Sequence, residues 1–133
     1  MKTAVLDSYA MIAYFQRQPG YEEIAVLFEE CAAKDRELFI CVVNWGEVIY
    51  HALRIGGEKR VQLAEAAMQA IPVTVVEADK DLTLQAAKLK AFLKMSYADC
   101  FAAALAMKKK CELVTGDKEF KQVEKELKIF WIK

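Results

Sequence analysis

Short apolar runs alternate along this chain with longer stretches whose apolar residues recur every third or fourth position. These two spacings separate buried strands from amphipathic helices. Residues 2–7 form the first short run, read as a strand, and helical spacing follows from Ser8 to Gln18 until Pro19-Gly20 breaks it. From Tyr21 to Lys34 the apolar positions Ile24, Leu27, Phe28 and Cys31 trace one face of a second helix. The β-branched and aromatic run Leu38 to Val43 predicts a second strand. Residues 45–55 and 58–70 predict two helices parted by Gly56-Gly57, and Val73-Thr74-Val75-Val76 after Pro72 predicts a third strand. Helices over 79–92 and 97–110 precede strands at Leu113 to Thr115 and Ile129 to Ile132, with a short helix between them. Strands that alternate with helices in this way imply an α/β fold, a mainly parallel sheet of about five strands covered by helices on both faces.

Composition narrows the class. At 133 residues with a 56% hydrophobic fraction, the expectation is one packed domain spanning 1–133. No stretch approaches the roughly 18 apolar residues that a membrane span requires, and Lys2 opens only a short run that ends at Asp7, unlike a secretory signal. The expected location is therefore the cytoplasm, with no membrane partner. Cys31, Cys41, Cys100 and Cys111 lie in apolar segments without C-x-x-C spacing, which fits buried, reduced thiols. Basic and acidic residues balance at 19 each, so the chain is no polybasic nucleic-acid binder, although its basic surplus falls in the second half.

Four carboxylates change the picture. Asp7, Glu47, Asp99 and Asp117 each stand where an apolar run gives way to a helix-like segment. In an α/β fold the carboxyl ends of the strands and the first turns of the following helices share one crevice. Like charges gathered there need a counter-ion, and Mg²⁺ or Mn²⁺ suits carboxylate and water oxygens. Each acid also has a plainer explanation. Asn44 to Glu47 and Ser96 to Asp99 match the spacing of a capping box, and Asp7 and Asp117 suit turns or helix starts.

Other chemistries fit poorly. A phosphatase of the haloacid dehalogenase type would need a second Asp two residues after Asp7, where Tyr9 stands, and a response-regulator receiver would need an acidic pair where Asp7 is alone. Ser8 and Ser96 have no G-x-S-x-G context, and the lone His51 reads as structural rather than as a base. The run Lys108-Lys109-Lys110 lies nine residues or more beyond Asp99 on one helix, about 14 Å away at 1.5 Å per residue, and suits a helix C-terminus. Lys118, Lys121 and Arg17 are better candidates for contacts to a polyanion at the crevice, with Lys90 and Lys94 beside the approach.

The order VLDS, N-x-x-E, S-x-x-D followed by FAAALA, and VTGDKEF resembles the PIN domain, and within it the VapC-like toxins of toxin–antitoxin pairs. Cys100 stands where that family often has alanine, and valines precede Asn44 where a polar residue is common. The resemblance implies a three-layer α/β/α fold and a Mg²⁺- or Mn²⁺-dependent endoribonuclease. Its acidic cluster would be Asp7, Glu47, Asp99 and Asp117, with Thr115, Ser8 and Asn44 as polar support. It further implies an RNA substrate, a cognate antitoxin and a homodimer, for which Trp45, Tyr50 and Leu53 offer an apolar stripe. A processing nuclease outside toxin systems, or a silent PIN binding module, would carry much of the same pattern.

Overall fold

Five short strands make one parallel sheet in the order β3-β2-β1-β4-β5 in the computed structural model, which describes residues 3–34 and 36–133. The strands are β1 (Ala4–Leu6), β2 (Leu38–Cys41), β3 (Val73–Val76), β4 (Glu112–Thr115) and β5 (Ile129–Trp131). Lys2, included in the expected first strand, lies outside the described residues. Side chains alternate across the sheet as its pleat requires. Ala4 and Leu6 join one apolar cluster, whereas Val5 joins the other.

Helices α1 (Ser8–Phe15), α2 (Tyr21–Ala33) and α3 (Val42–Gln69) cover the first face, burying Met11, Ile24, Phe28 and Val48 against Leu6, Ile40 and Val114. Helices α4 (Lys80–Phe92) and α5 (Tyr97–Lys109) cover the second with a 3₁₀ segment, Lys118–Val123. The alanines that make α5 strongly helical also make it thin, so it sinks against the sheet with Ala102, Ala103, Ala104 and Ala106 buried. Lys108 at the end of α5 reaches Asp79 at the start of α4 (3.7 Å), so the two helices run antiparallel and their short connection lies at the Asp99 end. The expected three-layer α/β/α architecture is therefore present.

One expected boundary moves. Val42 and Val43 belong to α3 rather than to the second strand, because β2 loses its neighbour after Cys41 pairs with Val76 and the chain turns at once. Asn44 consequently sits inside the first turn of the helix, and the expected cap at Asn44 is absent: Cys41 occupies the cap position with no side-chain bond. The two helices expected around Gly56-Gly57 are both present within the span labelled α3, parted at Gly57, whose non-helical φ of 68° and ψ of −165° belong almost only to glycine. Gly57→Ala should therefore cost about 1–3 kcal/mol in denaturant unfolding. Gly46→Ala, in the regular part of the same helix with open space around its missing Cβ, should gain about 0.5–1 kcal/mol.

The chain visits β2 and β3 on one side of β1, then crosses to β4 and β5 on the other. Strand order thus reverses between β1 and β4, and a crevice opens at their carboxyl ends, the usual ligand position in open α/β sheets. Asp7 follows β1 and Thr115 ends β4 at this point.

Candidate functional site at the carboxyl rim of the sheet

Asp7 is fully buried and held by two bonds. Its Oδ1 accepts from the backbone N–H of Ala10 (2.8 Å), capping α1, and its Oδ2 accepts a short hydrogen bond from the Thr115 hydroxyl. Thr115 Oγ1 in turn accepts from the Asp117 backbone N–H (3.0 Å), so one hydroxyl fixes both the β1 carboxylate and the turn that carries the next one. Asp117 caps the 3₁₀ segment through the N–H of Glu119 (2.9 Å). On α3, Glu47 Oε1 accepts from the Ser8 hydroxyl (2.7 Å) and weakly from Asn44 Nδ2 (3.5 Å). Asn44 also donates to the carbonyl of Ala98 (3.0 Å), tying α3 to the first turn of α5. There Ser96 caps the helix by accepting from the N–H of Asp99 (3.1 Å).

Electrostatics bind these pieces into one site. Burial pushes the Asp7 carboxyl up to about 8, against the lowering effect of Thr115 and Ala10 and with added repulsion from Asp99 and Asp117. Asp99 is raised to about 6, first by burial and then by Asp117, with Ser96 opposing and Glu47 and Glu119 adding smaller repulsions. All four sequence-derived acids therefore share one field. Among the described residues the one ion pair, Lys108 with Asp79, lies at the opposite end of α5.

The donor set fits a hard divalent cation. Every donor is an oxygen, two carboxylates are held against mutual repulsion, and the buried Oδ1 of Asn44 has no hydrogen-bond partner. Among the described residues no three acidic, His or Cys side chains form a ready-made cage. Mg²⁺ needs none, because it binds through one or two carboxylates and retains several waters.

The remaining candidates divide. Lys118 and Lys121 are exposed on the 3₁₀ segment directly after Asp117, and Lys94 lies on the connection before α5. Lys90 is close enough to Cys100 to act on its thiol. Arg17 is not brought to the cluster: it follows the far end of α1, where its guanidinium stacks over Tyr21 (5.2 Å). Lys109 covers the Phe39 ring (3.9 Å), so Lys108 and Lys109 are engaged away from the rim. His51 lines an apolar groove between α1 and α3. Trp45 packs edge-on against Phe15, whereas Tyr50 and Leu53 are exposed. All four cysteines are free, Cys31, Cys41 and Cys100 buried and Cys111 half-buried; burial raises their thiol pKa values, Cys111 to about 11.

Two contributors escaped the sequence reading. Glu119 adds to the field on Asp99, and its signal was its position two residues after Asp117. Gln122 clamps the rim. Its Oε1 accepts from the Lys94 N–H (2.9 Å) while its Nε2 donates to the carbonyls of Lys94 (3.2 Å) and Glu119 (3.1 Å). The segments bearing Asp99 and Asp117 are thereby joined, a long-range pairing that no local pattern announces.

A parallel five-stranded sheet with acidic side chains at its switch point defines an α/β protein with a carboxylate rim, the position where open sheets of this kind generally take their ligands. A family model described as the PIN domain matches residues 4–126, and the chain belongs to that family. Solved structures share the fold. A DNA-bound VapBC from Salmonella typhimurium superposes with a TM-score of 0.80 at 20% identity over 98% of each chain. VapBC2 from Rickettsia felis, bound to a DNA fragment from its promoter, gives 0.77 at 16% over 98% of this chain and 99% of the other. Mycobacterium tuberculosis VapC20, described as a sarcin–ricin loop cleaving toxin, gives 0.71 at 18% over 90% and 94%. No curated protein matches the sequence. Among the described residues no helix is long and apolar enough to cross a membrane.

Proposed function

We propose that this chain is a divalent-metal-dependent endoribonuclease and the toxin of a toxin–antitoxin pair, acting in the cytoplasm as a homodimer of one PIN-like unit over residues 1–133. The observation that carries the reading is the shared field of Asp7, Glu47, Asp99 and Asp117 at the switch point, with two carboxyls raised and none of the four ion-paired among the described residues. The fold it shares with a sarcin–ricin loop cleaving toxin and with VapBC complexes supports RNA as substrate and an antitoxin as partner.

In this reading Asp7 and Asp99 are the primary ligands of Mg²⁺ or Mn²⁺, with Glu47 and Asp117 completing the acidic shell. When bound, the ion supplies an acidified water and charge stabilisation at the phosphate oxygens. The chain does the rest. Thr115 and the Ala10 N–H fix the rotamer of Asp7, and Ser8 and Asn44 hold Glu47 towards the rim. Lys118, Lys121 and Lys94, all exposed beside the cluster, attract the phosphate backbone without base preference. The antitoxin occupies the groove formed by Ile12, Phe15, Val48, Ala52, Leu63 and Ala64, and an arginine from it enters the carboxylates, where charge-assisted bonds are strong. Exposed Tyr50 and Leu53 serve the dimer contact.

Inducible expression in a host without the partner tests this. Wild type should arrest growth and Asp7→Asn, at matched protein level, should not. Equal arrest by both would mark a binding effect without cleavage; harmlessness of both, with RNA still cut in vitro, would mark a processing nuclease.

A further inference from the structure

Two half-exposed tyrosines stand beside the cluster without a part in it. Tyr9, 42% exposed, follows Ser8 in the first turn of α1, and Tyr97, 44% exposed, opens α5 two residues before Asp99. Because α1 and α5 cover opposite faces of the sheet, the two residues flank the carboxylate rim from opposite sides. Each ring is fixed along its inner edge. Tyr9 lies against the backbone of Gly116, between Thr115 and Asp117, so closely that a Cβ at that glycine would overlap the ring. The Tyr97 ring rests against Phe101 at 5.0 Å between centroids. An exposed aromatic face normally loses entropy when a ligand immobilises it, and a ring already packed on one edge loses less.

We propose that Tyr9 and Tyr97 are stacking platforms for unpaired RNA bases on either side of the bond to be cut. Their outer parts are open to solvent among the described residues, Tyr9 is seated on the backbone between Thr115 and Asp117, Tyr97 shares the first turn of α5 with Asp99, and any base offers a π-face to such a ring. The pair divides the work of binding. Exposed lysines attract the backbone, while the two rings hold the bases apart and keep the intervening phosphodiester over the acidic cluster. Gly116 is required in this arrangement as the seat of Tyr9. The proposal rests on the nuclease reading above.

The experiment uses a random-sequence pool of short single-stranded RNA carrying one 2-aminopurine, whose fluorescence is quenched on stacking. Binding is measured with Mn²⁺ in an Asp7→Asn background, where cleavage is blocked, and kcat and KM are measured on the same pool in the wild-type background. Tyr9→Leu and Tyr97→Leu should each weaken binding about tenfold, the scale of one lost stack, and relieve quenching at unchanged melting temperature. Tyr9→Phe and Tyr97→Phe should restore both the quench and the affinity that leucine loses. Gly116→Ala should mimic Tyr9→Leu and add little to it in the double variant, since both remove one contact. Leucine variants that bind, quench and cleave like their parents would overturn the platforms while leaving the nuclease intact. If the parent neither binds the pool nor cleaves it as wild type, the nuclease reading falls and the platforms fall with it.

Discussion

Asp7→Asn and Asp99→Asn should each fold normally and lose RNA cleavage by at least about 100-fold. Loss of a group that merely orients a metal ligand typically costs 10- to 100-fold, so removal of a ligand charge itself should cost no less. Folding should survive because asparagine caps a helix about as well as aspartate. It can keep the carbonyl bond to the Ala10 N–H in one case and leave the Ser96 cap untouched in the other. Glu47→Gln and Asp117→Asn should lose less, having fewer burial constraints and a supporting part. Initial rates on RNA with saturating Mn²⁺, together with thermal melts, separate these effects. Near-wild-type cleavage by a well-folded Asp7→Asn would remove Asp7 from the ligand set.

Metal-free protein should lose stability as pH rises from 5 to 8. Asp7 titrates near 8 and Asp99 near 6 in the folded chain, both above their ordinary value of 3.8. The folded state therefore holds protons that the unfolded state has released. That contribution is fully present below about pH 4 and is lost progressively as pH climbs through 6 and then 8. Every tenfold weakening of a carboxylic acid on folding is worth about 1.4 kcal/mol, enough to lower the melting temperature by several degrees. Asp7→Asn should flatten this profile, and Mn²⁺ at pH 8 should raise the wild-type melting temperature by binding the ionised carboxylates. Melts in chelator across this range decide the matter. Wild type that is steadier at pH 8 than at 5 would show that the carboxyls are already compensated within the chain.

Most of the architecture was legible because strand and helix periods differ and Pro19-Gly20, Gly56-Gly57 and Pro72 punctuate them. Val42 and Val43 misled because β-branched residues suit a strand, yet strand extent is set by pairing, and β2 runs out of neighbour at Cys41. The four acids were legible as strand-edge residues, and strand order then set them around one crevice. Their plainer explanation was also partly right: Asp7 and Asp117 do cap helical starts, and Ser96 caps α5. Capping and clustering are compatible, because helix N-termini at a sheet rim all point inward. What the sequence hid was long-range. Thr115 reaches Asp7 across 108 positions, Gln122 reaches Lys94 across 28, and Arg17 is carried away because α1 is long enough to place it at the other end.

If these carboxylates form a divalent-ion site, the ion itself should report it. Mn²⁺ is titrated into the protein at pH 8 and the free ion followed by electron paramagnetic resonance. Wild type should deplete the free-ion signal saturably, and the Asp7→Asn, Asp99→Asn double variant should leave it unchanged. Equal depletion by the folded double variant would place the ion elsewhere and remove the basis for the nuclease reading.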